Sequence, residues 1–201
     1  MPAVSSRAQL TFASPIGRLR VSTMANAEGS AQGARLVEVK LRAPELPNSG
    51  TGEVLRLAEE ARRQILDFLE GERHVFDLPF QLAGSPFQQQ VLRKMSRVAF
   101  GRRITYGDLA KQVGDPGASR AVGAVCGANP VPLVVPCHRI VARDGLGGFG
   151  GGLDMKRWLL TYEATGKVPA PLDDRGRRVG IAGSSSIARD VESTGLQLPL
   201  F

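Results

Sequence analysis

Apolar and polar positions along the first third of the chain follow two different periods. Residues 8–13 and 19–23 carry alternating or β-branched side chains, with Pro15-Ile16-Gly17 between them as a turn. Residues 36–41 alternate apolar with charged, which predicts a half-buried strand. After a loop at 44–52, the period changes to helical. Leu55, Leu57, Ala58, Ala61, Ile65, Phe68 and Leu69 recur on one face of a helix expected over 54–69, and Gly71 stops it. The pattern is a small sheet with a helix packed on it, and no chemistry is visible in it.

From residue 85 the pattern predicts consecutive short helices. Ser85 is placed as an N-cap, with Pro86 at the first helical position and Gln88 three residues after the cap. Phe87, Val91, Leu92 and Met95 then form the apolar stripe. Thr105-Tyr106-Gly107-Asp108 opens a second helix through Leu109, Ala110 and Val113. Asp115-Pro116-Gly117 breaks the chain before a third helix over about 118–128. Helix, tight turn, helix is the shape of a helix-turn-helix. The third helix carries Gly123 and Gly127 among mostly small residues. Each glycine costs about 0.8–1 kcal/mol relative to alanine. Such a helix either packs tightly in a core or lets another backbone or a nucleic-acid groove come very close.

Charge sharpens this division. Residues 1–83 carry 10 basic and 10 acidic side chains, residues 84–167 carry 12 and 5, and residues 168–201 carry 4 of each. The formal net charge of +7 therefore lies in the middle segment. A concentrated basic excess suits a polyanion such as nucleic acid, although a solubilising surface would have the same sign. We expect an N-terminal α/β domain over 1–83, a helical domain over 84–167 and a flexible tail over 168–201, where Pro169, Pro171, Gly176, Gly180 and Gly183-Ser-Ser-Ser186 read as a linker. At 201 residues and 42% hydrophobic, the chain can bury a core. Its apolar run at 130–137 is far below the roughly 20 residues of a membrane span, and no signal-peptide stretch opens it. Cys126 and Cys137 alone imply no disulfide framework, so a cytoplasmic protein is expected.

Chemistry concentrates after the third helix. Asn129-Pro130 ends it, and an apolar run leads to Pro136-Cys137-His138-Arg139. Thiolate is a strong nucleophile, and a nearby imidazole can activate it. A cysteine in an apolar run is also compatible with a buried structural thiol. On a regular strand, adjacent Cys and His side chains would point to opposite faces.

The run 87–163 resembles the catalytic domain of the O6-alkylguanine-DNA alkyltransferases, the methylated-DNA–protein-cysteine methyltransferases. The matching pieces are Gly101-Arg-Arg-Ile-Thr-Tyr-Gly-Asp-Leu-Ala110, Ser119-Arg-Ala-Val-Gly123, Asn129-Pro-Val-Pro132, Pro136-Cys-His-Arg-Ile-Val141 and Gly150-Gly-Gly-Leu-Asp-Met-Lys-Arg-Trp-Leu-Leu160. The resemblance implies an α/β fold, with a ribonuclease-H-like N-terminal sheet domain before a winged-helix-like helical domain. It implies single-turnover repair of O6-alkylguanine, and of O4-alkylthymine, by transfer of the alkyl group to Cys137. His138 would take the thiol proton through a water and Glu163 would orient the imidazole, with Trp158, Leu159 and Tyr162 anchoring its helix. Asn129 would tie the helix end to the cysteine loop.

By the same resemblance the damaged base rotates out of double-stranded DNA. Arg120 would fill the gap, and Tyr106 would turn the phosphate and support proton donation to the leaving guanine. Ser119, Ala121, Gly123 and Ala124 would face the groove, with Arg102, Arg103 and Lys111 on phosphates. Cys126, Pro132, Ile140, Val141, Phe149, Gly150 and Gly151 would wall the base pocket. Phe149 and Gly150 stand where many members have Tyr and some have Ser. No cofactor is implied, and no metal is expected, because no cysteine precedes residue 126 to join His74. A monomer is expected. The terminal Gln197-Leu198-Pro199-Leu200-Phe201 resembles the peptide by which bacterial repair proteins dock on the sliding clamp. The alternative function is a non-catalytic binder of alkylated DNA or a transcriptional regulator.

Overall fold

The computed structural model describes residues 6–26 and 33–179, so the expected clamp peptide at 197–201 lies outside the described residues. Strands β1 (Arg7–Phe12), β2 (Leu19–Ala25) and β3 (Ala34–Leu41) form an antiparallel sheet in that order. Ala8, Leu10, Leu19, Val21, Leu36 and Val39 are buried, as alternation required. A register shift between Ser22 and Thr23 interrupts the β2–β3 ladder. Both side chains are buried and both are satisfied: Ser22 donates to Glu38 at 3.1 Å, and Thr23 to the Val54 carbonyl at 2.6 Å.

Helix α1 (Gly52–Leu69) covers this sheet with Val54, Ala58, Ala61, Ile65, Phe68 and Leu69. Helix α2 (Pro86–Met95) opens on the expected capping box, Ser85 and Gln88 each accepting the other's backbone N–H. Helices α3 (Tyr106–Gln112) and α4 (Ser119–Gly127) follow, and α2, α3 and α4 pack on one another. A 3₁₀ turn at Cys137–Arg139 precedes β5 (Ile140–Val141), which pairs in parallel with β4 (Ile104–Thr105). Helix α5 (Leu153–Thr165) closes the fold and ends at Gly166 in the left-handed conformation.

One apolar cluster runs from the sheet through α1 to α5 and the α2–α4 helices. Phe68 sits edge-on to both Phe100 and Tyr162, at ring-centroid distances of 6.1 and 5.7 Å, joining α1 to α5. The architecture is mixed α/β: a small antiparallel sheet with helices. No helix among the described residues is long and apolar enough to cross a membrane.

The tail departs from expectation. Residues 168–179, read above as the start of a linker, dock on the protein. Leu172 is buried and donates its N–H to the Pro15 carbonyl at 2.8 Å. The indole of Trp158 donates to the Ala170 carbonyl at 2.9 Å, and Asp174 accepts the Arg18 N–H at 2.9 Å. Proline and glycine content reported irregular backbone correctly, but a buried leucine and these hydrogen bonds anchor it.

Candidate active site

Two features of the chain bring the site together. The two-residue pairing of β4 with β5 sets Tyr106, the first residue of α3, beside the segment that follows the cysteine. On the other side, Asn129 at the end of α4 accepts the Val131 N–H and donates to the Val135 carbonyl at 2.7 Å, folding the apolar run into a tight loop. Leu133 in this loop has φ of +73°, a left-handed conformation that costs a branched residue roughly 1–2 kcal/mol. The loop is also held from outside, where Val39 of β3 donates to the Pro130 carbonyl at 2.8 Å.

The 3₁₀ turn removes the objection raised by strand geometry. Cys137, His138 and Arg139 lie on a tight turn, not on an alternating strand, and all three are buried. His138 Nε2 lies 2.9 Å from Glu163 Oε1, while its Nδ1 is buried with no protein partner. A carboxylate cannot donate, so the imidazole carries its proton on Nε2, and Nδ1 keeps a free lone pair. Arg139 holds the same carboxylate, its Nε donating to both Glu163 oxygens at 3.0 Å and its Nη2 to Oε1 at 2.8 Å. Its Nη1 donates to the Val98 carbonyl at 2.6 Å, and the Gly101 N–H donates to Glu163 Oε2 at 3.2 Å. As expected, Trp158, Leu159 and Tyr162 are buried on the helix that carries Glu163.

The electrostatics follow from this burial. Desolvation alone would raise the Glu163 carboxyl, but hydrogen bonds and charge from His138 and Arg139 outweigh it and hold it at about 2. Burial lowers the His138 imidazole despite the opposing Glu163, and raises the Cys137 thiol despite Asn129. The resting site is therefore neutral thiol, neutral imidazole and ionised carboxylate. Cys126 is pushed up to about 12, chiefly by burial, and its sulfur rests 3.7 Å from that of Met95.

A cavity of about 270 Å³ opens over the thiol, lined by Tyr106, Gly123, Cys126, Gly127, Cys137, Gly148, Phe149 and Gly150. Its walls are largely glycine backbone. Gly147, at φ of +66°, allows the Tyr106 ring to lie against the loop: a Cβ there would come within 2.6 Å of the ring. Of the residues expected to wall the pocket, Cys126, Phe149 and Gly150 line this cavity. Pro132, Ile140, Val141 and Gly151 are buried and lie outside its lining. Gly151 packs against Met155, Phe149 and Leu41, and the two β5 residues are tied to β4.

On α4, Arg120, Ala121 and Ala124 are exposed together, with Gly123 against the Tyr106 ring. The opposite face, Val122, Val125 and Cys126, is buried. Lys111 is paired with Asp108 at 3.2 Å, whereas Arg102 opens into a separate cleft away from α4.

Two further residues at the site carry little local signal. Arg139 had only its position after the Cys-His pair to signal it. Lys156 is fully buried, donating to the carbonyls of Ile140 at 2.6 Å and Gly148 at 3.0 Å. It ties the cysteine segment to the glycine loop, and burial lowers its ammonium to about 8. Its helical spacing from Leu159, Leu160 and Glu163 marks the inward face of α5, which was the available signal.

The chain is similar to known proteins over most of its length. The family described as "6-O-methylguanine DNA methyltransferase, DNA binding domain" matches residues 86–165. A methylated-DNA–protein-cysteine methyltransferase of Mycolicibacterium paratuberculosis is 40% identical over 154 residues, 76% of this chain and 90% of that protein. One from Salmonella typhimurium is 45% identical over 102 residues, 50% of this chain and 60% of its own length. Among solved structures, Mycobacterium tuberculosis OGT in complex with DNA aligns with a TM-score of 0.64 at 32% identity, covering 80% of this chain and 94% of that one.

Proposed function

The chain belongs to the methylated-DNA–protein-cysteine methyltransferase family, and from that membership we propose that it repairs O6-alkylguanine in DNA by moving the alkyl group onto Cys137. The observation that carries this reading is the buried relay beside the thiol: an imidazole whose Nδ1 is free to accept a proton and whose Nε2–H is fixed by Glu163.

The steps follow from these groups. Because the thiol is neutral at rest, it must be deprotonated during attack, and His138 Nδ1 takes the proton through a water. Glu163, kept ionised by Arg139, stabilises the imidazolium that forms. Sulfur then displaces guanine from the alkyl carbon. The S–C bond forms as the C–O6 bond breaks, and the leaving guanine takes up a proton with support from Tyr106. A thioether has no leaving group that water can readily displace, so each molecule acts once. The second thiol, Cys126, lines the same cavity but has no base, which keeps it out of the reaction.

A base stacked in a duplex cannot reach this cavity, so flipping belongs to the proposal. The exposed small-residue face of α4, including Ser119, Ala121, Gly123 and Ala124, would enter the groove with Arg120 in the vacated stack. Alkylthymine is included as a second substrate. The sheet with α1 is read as ribonuclease-H-like, and α2 to α4 as winged-helix-like. The remaining parts of the reading are a cytoplasmic monomer and docking of 197–201 on a bacterial sliding clamp.

Mass analysis after incubation with methylated duplex tests the central claim. We expect one added methyl group on the peptide containing Cys137 and none on Cys126. Cys137→Ser should abolish transfer while retaining DNA binding, because a serine hydroxyl is far less acidic and less nucleophilic. Label on Cys126, or transfer by the serine variant, would overturn the assignment.

A further inference from the structure

A cleft of about 510 Å³, separate from the cavity over Cys137, lies between the end of α2, the loop to β4 and the end of α3. Lys94, Arg97, Val98, Ala99, Arg102, Ile104 and Gln112 line it, and none of these residues lines the thiol cavity or belongs to α4. Three cations over an apolar floor, with one amide, make a wall that is strongly positive.

Several exposed cations elsewhere in the fold are paired with an acid. Arg63 pairs with Glu60 and Asp67, Lys111 with Asp108, Arg157 with Asp154 and Arg177 with Asp173. Lys94, Arg97 and Arg102 have no acidic partner among the described residues. Sequence explains why: no Asp or Glu occurs from Leu78 to Gly107, while Arg93, Lys94, Arg97, Arg102 and Arg103 fall within that stretch. Lys94 sits in the last turn of α2, where the helix dipole favours a cation, but Arg97 and Arg102 lie beyond the helix, so the dipole does not account for them. A solubilising surface would mix both signs, as α1 does with its acidic and basic side chains.

We propose that this cleft binds the phosphodiester backbone of DNA, as a second contact face beyond the one on α4. The assignment rests on the reading of the chain as a DNA-acting protein. Phosphate oxygens would be met by Lys94, Arg97 and Arg102 together, with Gln112 able to donate a further hydrogen bond. Contacts of this kind hold the duplex irrespective of sequence or lesion. The cleft also borders Val98, whose carbonyl accepts from Arg139, so a bound backbone would lie next to the loop that braces Glu163.

The test is equilibrium binding to methylated and unmethylated duplexes over a range of salt. Both the reference protein and the Lys94→Gln/Arg97→Gln variant carry Cys137→Ser, so that methylated DNA is bound and not consumed. We expect the double variant to reduce the slope of log affinity against log salt by roughly 2, and each single variant by about 1. Affinity should fall about fivefold or more at 0.1 M salt, equally on both duplexes, with an unchanged melting temperature. An unchanged slope, with the reference protein binding normally, would leave the cleft to an acidic protein surface and overturn the assignment. A loss confined to methylated duplex would do the same, placing the cations in the footprint of the flipped base. If the reference protein bound neither duplex, the DNA reading itself would fall together with the cleft.

Discussion

Glu163 is a buried carboxylate shared by an imidazole, a guanidinium and a backbone N–H, and its charge is what the neighbouring groups require. Held at about 2, it is ionised at neutral pH. Glu163→Gln keeps the shape but removes the charge that stabilises the imidazolium. We expect the single-turnover transfer rate to fall on the order of 100-fold, measured by rapid quench, and an unchanged rate would remove Glu163 from the relay. In the wild type, the rate should decline only below the ordinary histidine range, because burial lowers the His138 pKa and neutral imidazole is the active form. Stability has a related sign. The carboxyl is lowered from 4.5, so its contribution of about 3 kcal/mol is present above pH 4.5 and is lost as the pH falls from there towards 2. Urea titrations at pH 6 and pH 3 should therefore diverge more for the wild type than for the glutamine variant.

At the level of elements, short connections do the positioning. A two-residue parallel pairing brings α3 to the site, and a 3₁₀ turn presents Cys137 and His138 to the same interior. The docked segment 168–179 braces the helix that carries Glu163 through Trp158 and Ala170. Leu172 is its apolar anchor within the common core. Leu172→Ala should cost about 2–4 kcal/mol in urea denaturation. The transfer rate at saturating DNA should stay unchanged, since Leu172 lines neither the thiol cavity nor the cationic cleft. A loss below 0.5 kcal/mol, roughly what a surface position would show, would mean that the segment is not anchored there.

For the whole molecule, one core serves both the neutral first half and the basic middle, and chemistry is confined to the latter. Leu198, Leu200 and Phe201 lie outside the described residues. Burying each on a partner could contribute roughly 1.5–3 kcal/mol, and Gln197 completes the peptide that resembles a clamp-docking motif. Titration of purified bacterial sliding clamp with the full chain, and with a chain ending at Leu196, tests this. Binding by the full chain alone is expected, and equal binding or none by either chain would end the proposal.

The amino-acid sequence by itself determined the order and type of the main elements, because hydrophobic period and capping residues act over only a few positions. The strands, the Ser85 cap, the glycine-bearing α4 and the Cys-His pair were all legible for that reason. So was Glu163, though only through family resemblance, since an acid on a helix has no local mark of catalysis. What tertiary structure alone decided was which polar groups lost their water together. Arg139 and Lys156 read as ordinary cations until folding buried them against Glu163 and against two backbone carbonyls. Pro132, Ile140, Val141 and Gly151 have nothing local to mark their burial outside the lining of the thiol cavity, which packing set. The 168–179 segment had a linker's composition, and a contact with Pro15, more than 150 positions away in the chain, gave it a fixed place. Local pattern carries local preference, whereas desolvation and long-range contact depend on where the rest of the chain arrives.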